Sequence, residues 1–236
     1  MIKNYNLELF LSNHFGKNIK EISEEEFETL EMLSLDGLDI DGIYEKLDFK
    51  DIMELFPNIK KLIINNYVFK KEDIEFINKN SIVEYSFYKC DFKSINGMKL
   101  FNHAEVLMFE RCAFRSYSFL NDEYSNLEVL CLSNPADEEE IDLLNVNTLK
   151  IKELYFERCI IKNFKAISKF DNLEFVNILG TEINYDELYC FINLNNLNTL
   201  FVSEEYIDDQ IINLLKENGI DVKYNVNELL LESEEI

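Results

Sequence analysis

Tryptophan is absent from this chain of 236 residues, proline occurs twice, glycine six times and histidine twice. With so few breakers there is no Ser/Gly/Pro-rich linker, and one elongated domain is expected rather than two. Apolar residues make up 47%, ample for a continuous core. Two histidines serve nucleophilic catalysis poorly, because a Cys–His or Ser–His pair needs an imidazole beside the nucleophile. His14 lies in the leading segment and His103 just before a predicted strand. Neither CxxC nor HxxxH spacing occurs, which disfavours structural zinc. The aspartates of DGLDIDG, at 36–42, lack the spacing of a calcium loop. A glycine-rich phosphate cradle is missing in both its common forms. No metal, no cofactor and no enzymatic activity are expected.

Basic side chains are also scarce: 23 stand against 46 acidic ones, giving a formal charge of −23. Such an excess repels nucleic-acid phosphates and anionic lipid and attracts basic proteins. The plainer use of the same charge is solubility. No apolar run approaches the ~20 residues that span a bilayer. The first residues, MIKNYNLELFLSNHFGK, lack the apolar core and cleavage site of a signal peptide. Five cysteines, an odd number, fit a reducing compartment, so cytoplasm is expected.

What the chain has is a repeat. IVEYSFYKCDF from Ile82 returns as AEVLMFERCAF from Ala104, IKELYFERCII from Ile151 and LEFVNILGTEI from Leu173. Aligned on the first apolar place, units begin at Leu30, Ile59, Ile82, Ala104, Leu127, Ile151, Leu173, Leu197 and Gly219. A fixed period of this size marks stacked repeats. Places four and six are apolar, as in Tyr85/Phe87, Leu107/Phe109 and Leu154/Phe156. That alternation is strand chemistry, since successive side chains point to opposite faces. Between strands, KKEDIEFINKN, NYDELYCFINLNN and DDQIINLLKENG carry helical spacing behind acidic starts. DFKDIMELFPN fills the longer first unit, and Asp137–Glu140 reads as the acidic start of another connection.

The pattern LxxLxLxxC/NxL resembles the leucine-rich repeat family of bacterial type, over roughly residues 30 to 230. Pro135 and Glu205 at the ninth place and Asp137 at the eleventh depart from it. The resemblance implies an α/β fold: a right-handed horseshoe solenoid with a concave parallel β-sheet. The expected organisation is an N-terminal cap over 1–29, repeats over 30–218, and a terminal repeat with cap and acidic tail over 219–236. In the cap, Leu9, Phe10, Phe15, Ile19, Ile22 and Phe27 offer an apolar face, and Ser23 with Glu26 spells a capping box. Leu229, Leu230 and Leu231 are expected to close the other end. Cys90, Cys112 and Cys159, at the ninth place, are expected inside the turns and unreactive, and Cys190 likewise in its helix.

In this arrangement places three, five and seven project from the sheet. Val106, Met108, Val129, Cys131, Tyr155, Phe175, Leu179 and Phe201 occupy such places in neighbouring units. Glu84, Glu110, Glu153 and Glu157 flank them. Aromatic anchors inside a charged rim compose a protein interface. The same residues would also arise from strand propensity alone, or serve self-association. The predicted partner-binding set is Val106, Met108, Glu110, Val129, Cys131, Glu153, Tyr155, Glu157, Phe175 and Phe201. Cys131 is expected to be the first thiol to react, and Met108, Tyr155 and Asn177 to be exposed. The two FERC copies, at 109–112 and 156–159, suggest ion pairs along the sheet rim.

The expected function is non-catalytic protein recognition, by an intracellular inhibitor or immunity-type protein that captures a basic partner such as a toxin. Ribonuclease inhibitors, also acidic leucine-rich repeat horseshoes, are similar in kind. The alternative is a scaffold or host-directed effector similar to internalin-like repeats. Neither nucleic acid nor membrane is expected as a partner.

Overall fold

The computed structural model describes residues 5–38, 47–78, 82–95, 97–121, 123–147, 150–206 and 209–224. Strands form where the alternating pattern predicts them: β1 (Met32–Asp36), β2 (Lys61–Asn65), β3 (Glu84–Tyr88), β4 (Val106–Glu110) and β5 (Val129–Ser133). After a short β6 (Glu140–Asp142) come β7 (Glu153–Glu157), a short β8 (Ile160–Lys162), β9 (Phe175–Asn177), β10 (Thr199–Phe201) and β11 (Asp221–Lys223). Nine strands make one parallel sheet in the order β1-β2-β3-β4-β5-β7-β9-β10-β11. Its register runs unbroken, with Met32, Lys61, Glu84, Val106, Val129, Glu153, Phe175, Thr199 and Asp221 in line. These are the third places of the nine units, so the predicted alignment holds.

Places four and six face the core, and the buried pairs run from Leu33/Leu35 to Leu200/Val202. In the middle units they join two aromatic columns. Phe87 stacks on Phe109 at 5.2 Å between ring centroids. Beside them Phe69, Phe92 and Phe114, from the eleventh place, stack at 4.6 and 5.0 Å. The columns meet edge to face, Phe92 with Phe109 at 5.4 Å and Phe109 with Phe114 at 5.2 Å. Such contacts add ~0.5–1.5 kcal/mol per pair beyond the area buried. The series stops where Leu132 and Asp137 replace phenylalanine. Asp137 Oδ2 instead accepts the Phe114 N–H at 2.8 Å.

The ninth place carries a hydrogen-bond ladder. Cys90 Sγ donates to the Ile64 carbonyl (3.3 Å), Cys112 Sγ to Phe87 (3.4 Å) and Cys159 Sγ to Leu132 (3.2 Å). Thr181 Oγ1 donates likewise to Phe156 (2.5 Å) and also accepts the Cys159 N–H (3.1 Å). In every case the acceptor is the sixth place of the preceding unit. The cysteines are therefore buried, as expected, and act as small donors between units. Thr181→Val keeps the shape but leaves a buried carbonyl and a buried N–H unpaired. We expect a loss of ~2–3 kcal/mol in urea unfolding, against less than ~1 kcal/mol for Thr181→Cys.

The eighth place turns the chain through the left-handed region: Asn66, Lys89, Arg111, Asn134, Arg158 and Gly180 have φ between 49° and 70°. For a lysine or arginine this conformation is costly. The turn aims each N–H at the next unit, where Lys89 N reaches Glu110 O, and Arg111 N reaches Ser133 O, both at 2.9 Å.

At the front, α1 (Tyr5–Phe15) and α2 (Glu24–Glu28) precede the sheet, and the Ser23–Glu26 capping box forms. Phe27 and Ile22 are buried, and Phe10, Phe15 and Ile19 pack partly against the core. Leu9, by contrast, is 45% exposed, and Leu7 and Leu11 make the buried face of α1 instead. The predicted helices at DFKDIMELFPN, KKEDIEFINKN and DDQIINLLKENG appear as α3 (Phe49–Leu55), α4 (Lys71–Ile77) and α5 (Asp209–Glu217). NYDELYCFINLNN forms a 3-10 helix over Tyr185–Asn193, a narrower coil than the α-helix its spacing suggested. The acidic run at 137–140 starts no helix: it leads into β6, which pairs with β8 in a separate parallel ribbon. Most of DGLDIDG and the expected rear cap at Leu229–Leu231 lie outside the described residues. Among the described residues, no helix is long and apolar enough to cross a membrane.

Candidate partner-binding face

Places three, five and seven form the face of the sheet turned away from the core. Met108 is 39% exposed, Glu110 is exposed, and Val106, Val129, Glu153, Tyr155, Glu157 and Phe175 are partly exposed. These eight of the predicted residues line β4, β5, β7 and β9 as one patch. Two others require correction. Cys131 is buried, at 7%, because Met108 and Tyr155 stand taller on either side of it. Phe201 is only 1% exposed, with Phe175 at 5.6 Å and the Lys223 ammonium 5.7 Å over its ring. Asn177, expected outside, is fully buried. Its Nδ2 donates to Glu157 Oε1 at 2.5 Å, and its Oδ1 accepts the Leu179 N–H at 3.1 Å. Pointing away from the core does not expose a side chain where its neighbours are larger.

Tyr155, Phe175 and Phe201 form an aromatic row, 5.0 and 5.6 Å apart. The Tyr155 hydroxyl donates to Glu153 Oε2 at 2.8 Å, which fixes the ring. Burial and this bond push the phenol's pKa upward. Glu157 accepts from Ser133 Oγ at 2.7 Å as well as from Asn177, so neutral donors hold its carboxylate still. At the rim, Arg111 Nε lies 3.9 Å from Glu110 Oε1, a solvated pair worth little. Arg158 does not repeat that pairing, since its Nη1 donates to Asn134 Oδ1 at 2.7 Å.

A depression of about 290 Å³ opens on this face, lined by Ser86, Tyr88, Met108, Glu110, Cys131, Ser133, Asn134, Tyr155 and Glu157. Its origin is residue size. On β5, Cys131 and Ser133 are short, whereas Met108 and Glu110 on one side and Tyr155 and Glu157 on the other are long. Ser86, Tyr88, Ser133 and Asn134 lie outside the predicted set. Tyr88 stands on β3, before the predicted stripe begins, and the other three are small or polar where large side chains were expected to mark the face. The signal was there as small ones between large ones in register. Tyr88 carries Lys89 and Arg111 against its ring at 4.9 and 5.8 Å.

Burial, with Glu157 and Glu110 adding to it, pushes the Cys131 thiol up to about 12. Burial likewise lifts Cys190 to about 12 and raises Cys112 and Cys159. His103 Nε2 lies 3.1 Å from the Tyr85 hydroxyl, and His14 packs between Phe10 and Phe15. Among the described residues no three His, Cys, Asp or Glu side chains are grouped to hold a metal ion. At pH 8 a thiol of pKa 12 has a thiolate fraction on the order of 10⁻⁴. Iodoacetamide should therefore modify the folded chain slowly, reaching Cys190 first, because it alone is not buried. Fast modification of Cys131 would contradict its placement. No protein-family model matches the chain, and no curated protein is similar to it in sequence.

Proposed function

We propose that the chain is a leucine-rich repeat solenoid whose sheet lines the concave side, and that this face recognises a basic protein without catalysis. An intracellular inhibitor or immunity-type role, capturing a cationic partner such as a toxin, fits this reading best. The observation that carries it is the patch of Met108, Val129, Tyr155 and Phe175 rimmed by Glu110, Glu153 and Glu157. Anchored aromatics with held carboxylates offer both desolvated contact area and complementarity to a positive surface. The net charge of −23 adds long-range attraction for such a partner.

Capture from the chain's own cells tests it, using the wild type beside a Met108→Ala/Tyr155→Ala variant. A basic protein should be retained by the wild type at ~50 mM salt, be released by ~500 mM, and be missing from the variant. Equal retention by the variant would remove this face from recognition.

A further inference from the structure

We propose that the depression above Cys131 and Ser133 receives a single arginine side chain of the partner. The inference rests on the recognition reading above and names the group that is recognised.

Adjacent strands lie ~4.8 Å apart, so Glu110 on β4 and Glu157 on β7 stand ~10 Å apart at the backbone, astride β5. Between them β5 offers only Cys131 and Ser133. On the neighbouring row Met108 and Tyr155 flank the same strand. The site is thus an apolar slot, Met108 to Tyr155, that opens between two carboxylates. An extended side chain with an aliphatic stem and a cationic head has that order of groups. Its stem would lie along Met108 and the Tyr155 ring, and its head between Glu110 and Glu157.

Two features select a guanidinium over an ammonium. It presents donors on more than one edge, so it can bond both carboxylates at once, and its weak hydration and planar face suit contact with Tyr155. The slot is also set before binding. Glu157 is held by Ser133 and Asn177, and Tyr155 by Glu153. Glu110 is paired only with the exposed Arg111, at 3.9 Å. Arg158 donates to Asn134 at the edge of the depression, while among the described residues no basic group forms an ion pair with Glu157. The carboxylate is therefore positioned yet not neutralised from within the chain.

The probe is N-acetyl-arginine-N-methylamide, titrated into the whole chain while the Met108 methyl and tyrosine ring signals are followed by NMR. The citrulline and lysine analogues serve as controls. We expect saturable shifts at Met108 and Tyr155 with a Kd on the order of 1–10 mM, and none with citrulline. Lysine should bind at least ~3-fold more weakly, and Glu110→Gln or Glu157→Gln should each weaken arginine at least ~5-fold. Glu110 is exposed, so its variant tests charge without disturbing the fold. Absence of saturable shifts with arginine, or equal shifts with citrulline, would overturn the proposal. If a captured basic partner loses affinity on Tyr155→Ala while the probe does not seat, the slot is wrong and recognition stands. If the probe seats but the partner ignores Tyr155→Ala, the slot stands and the recognition reading falls.

Discussion

Phe109→Ala should lower the stability of the chain by ~4 kcal/mol, the loss expected when a large aromatic is removed from a packed core. For a chain of this length that corresponds to a fall in Tm of ~10–15 °C. Phe109 is 1% exposed and meets Phe87, Phe92, Phe114 and Phe119, so no single neighbour can close the cavity. The adjacent Met108, on the other side of the same strand, is 39% exposed. Met108→Ala should change stability by no more than ~0.5 kcal/mol. Urea unfolding of the two variants measures the alternation directly. Similar losses at both positions would mean that the face assigned to partners is part of the core.

Tyr155→Ala should speed dissociation of the partner by about 30-fold, equivalent to ~2 kcal/mol, as expected when a central aromatic anchor is truncated. The ring is already fixed by Glu153 and Phe175, so binding costs it little further entropy. Glu153→Gln should act on the other rate. It keeps an acceptor for the Tyr155 hydroxyl but removes a charge, so association should slow and its salt dependence flatten. Surface binding kinetics with the captured partner separate the two effects. A Tyr155→Ala variant that changes only the association rate would contradict the role of anchor.

The register was legible because each strand repeats one apolar alternation, and parallel pairing of consecutive units leaves one alignment that buries it. Leu62, Tyr85, Leu107 and Leu130 line up as their spacing predicts. The left-handed turn at Lys89, Arg111 and Arg158 was not legible, since neither residue type signals positive φ. It is imposed by hydrogen bonds to the next unit, a property of the stack. The helical spacing over 184–196 gave the right face but the wrong coil, because periodicity barely separates a 3-10 from an α-helix over so few residues. At the site, direction was readable and exposure was not. Cys131, Asn177 and Phe201 point where the pattern placed them, yet Cys131 lies between Met108 and Tyr155, Asn177 is bonded to Glu157, and Phe201 is packed by Phe175 and Lys223. Exposure depends on the sizes of neighbours on other strands, which a single repeat does not contain.

Carboxylate footprinting of the complex tests the central claim most directly. Carbodiimide labelling of the chain, alone and with its captured basic partner, should show Glu110, Glu153 and Glu157 protected on binding. Glu138, Glu139 and Glu182, which lie outside the sheet face and are exposed, should label equally in both states. Protection of Glu138, Glu139 and Glu182 with Glu110, Glu153 and Glu157 unchanged would place the partner elsewhere and contradict the account.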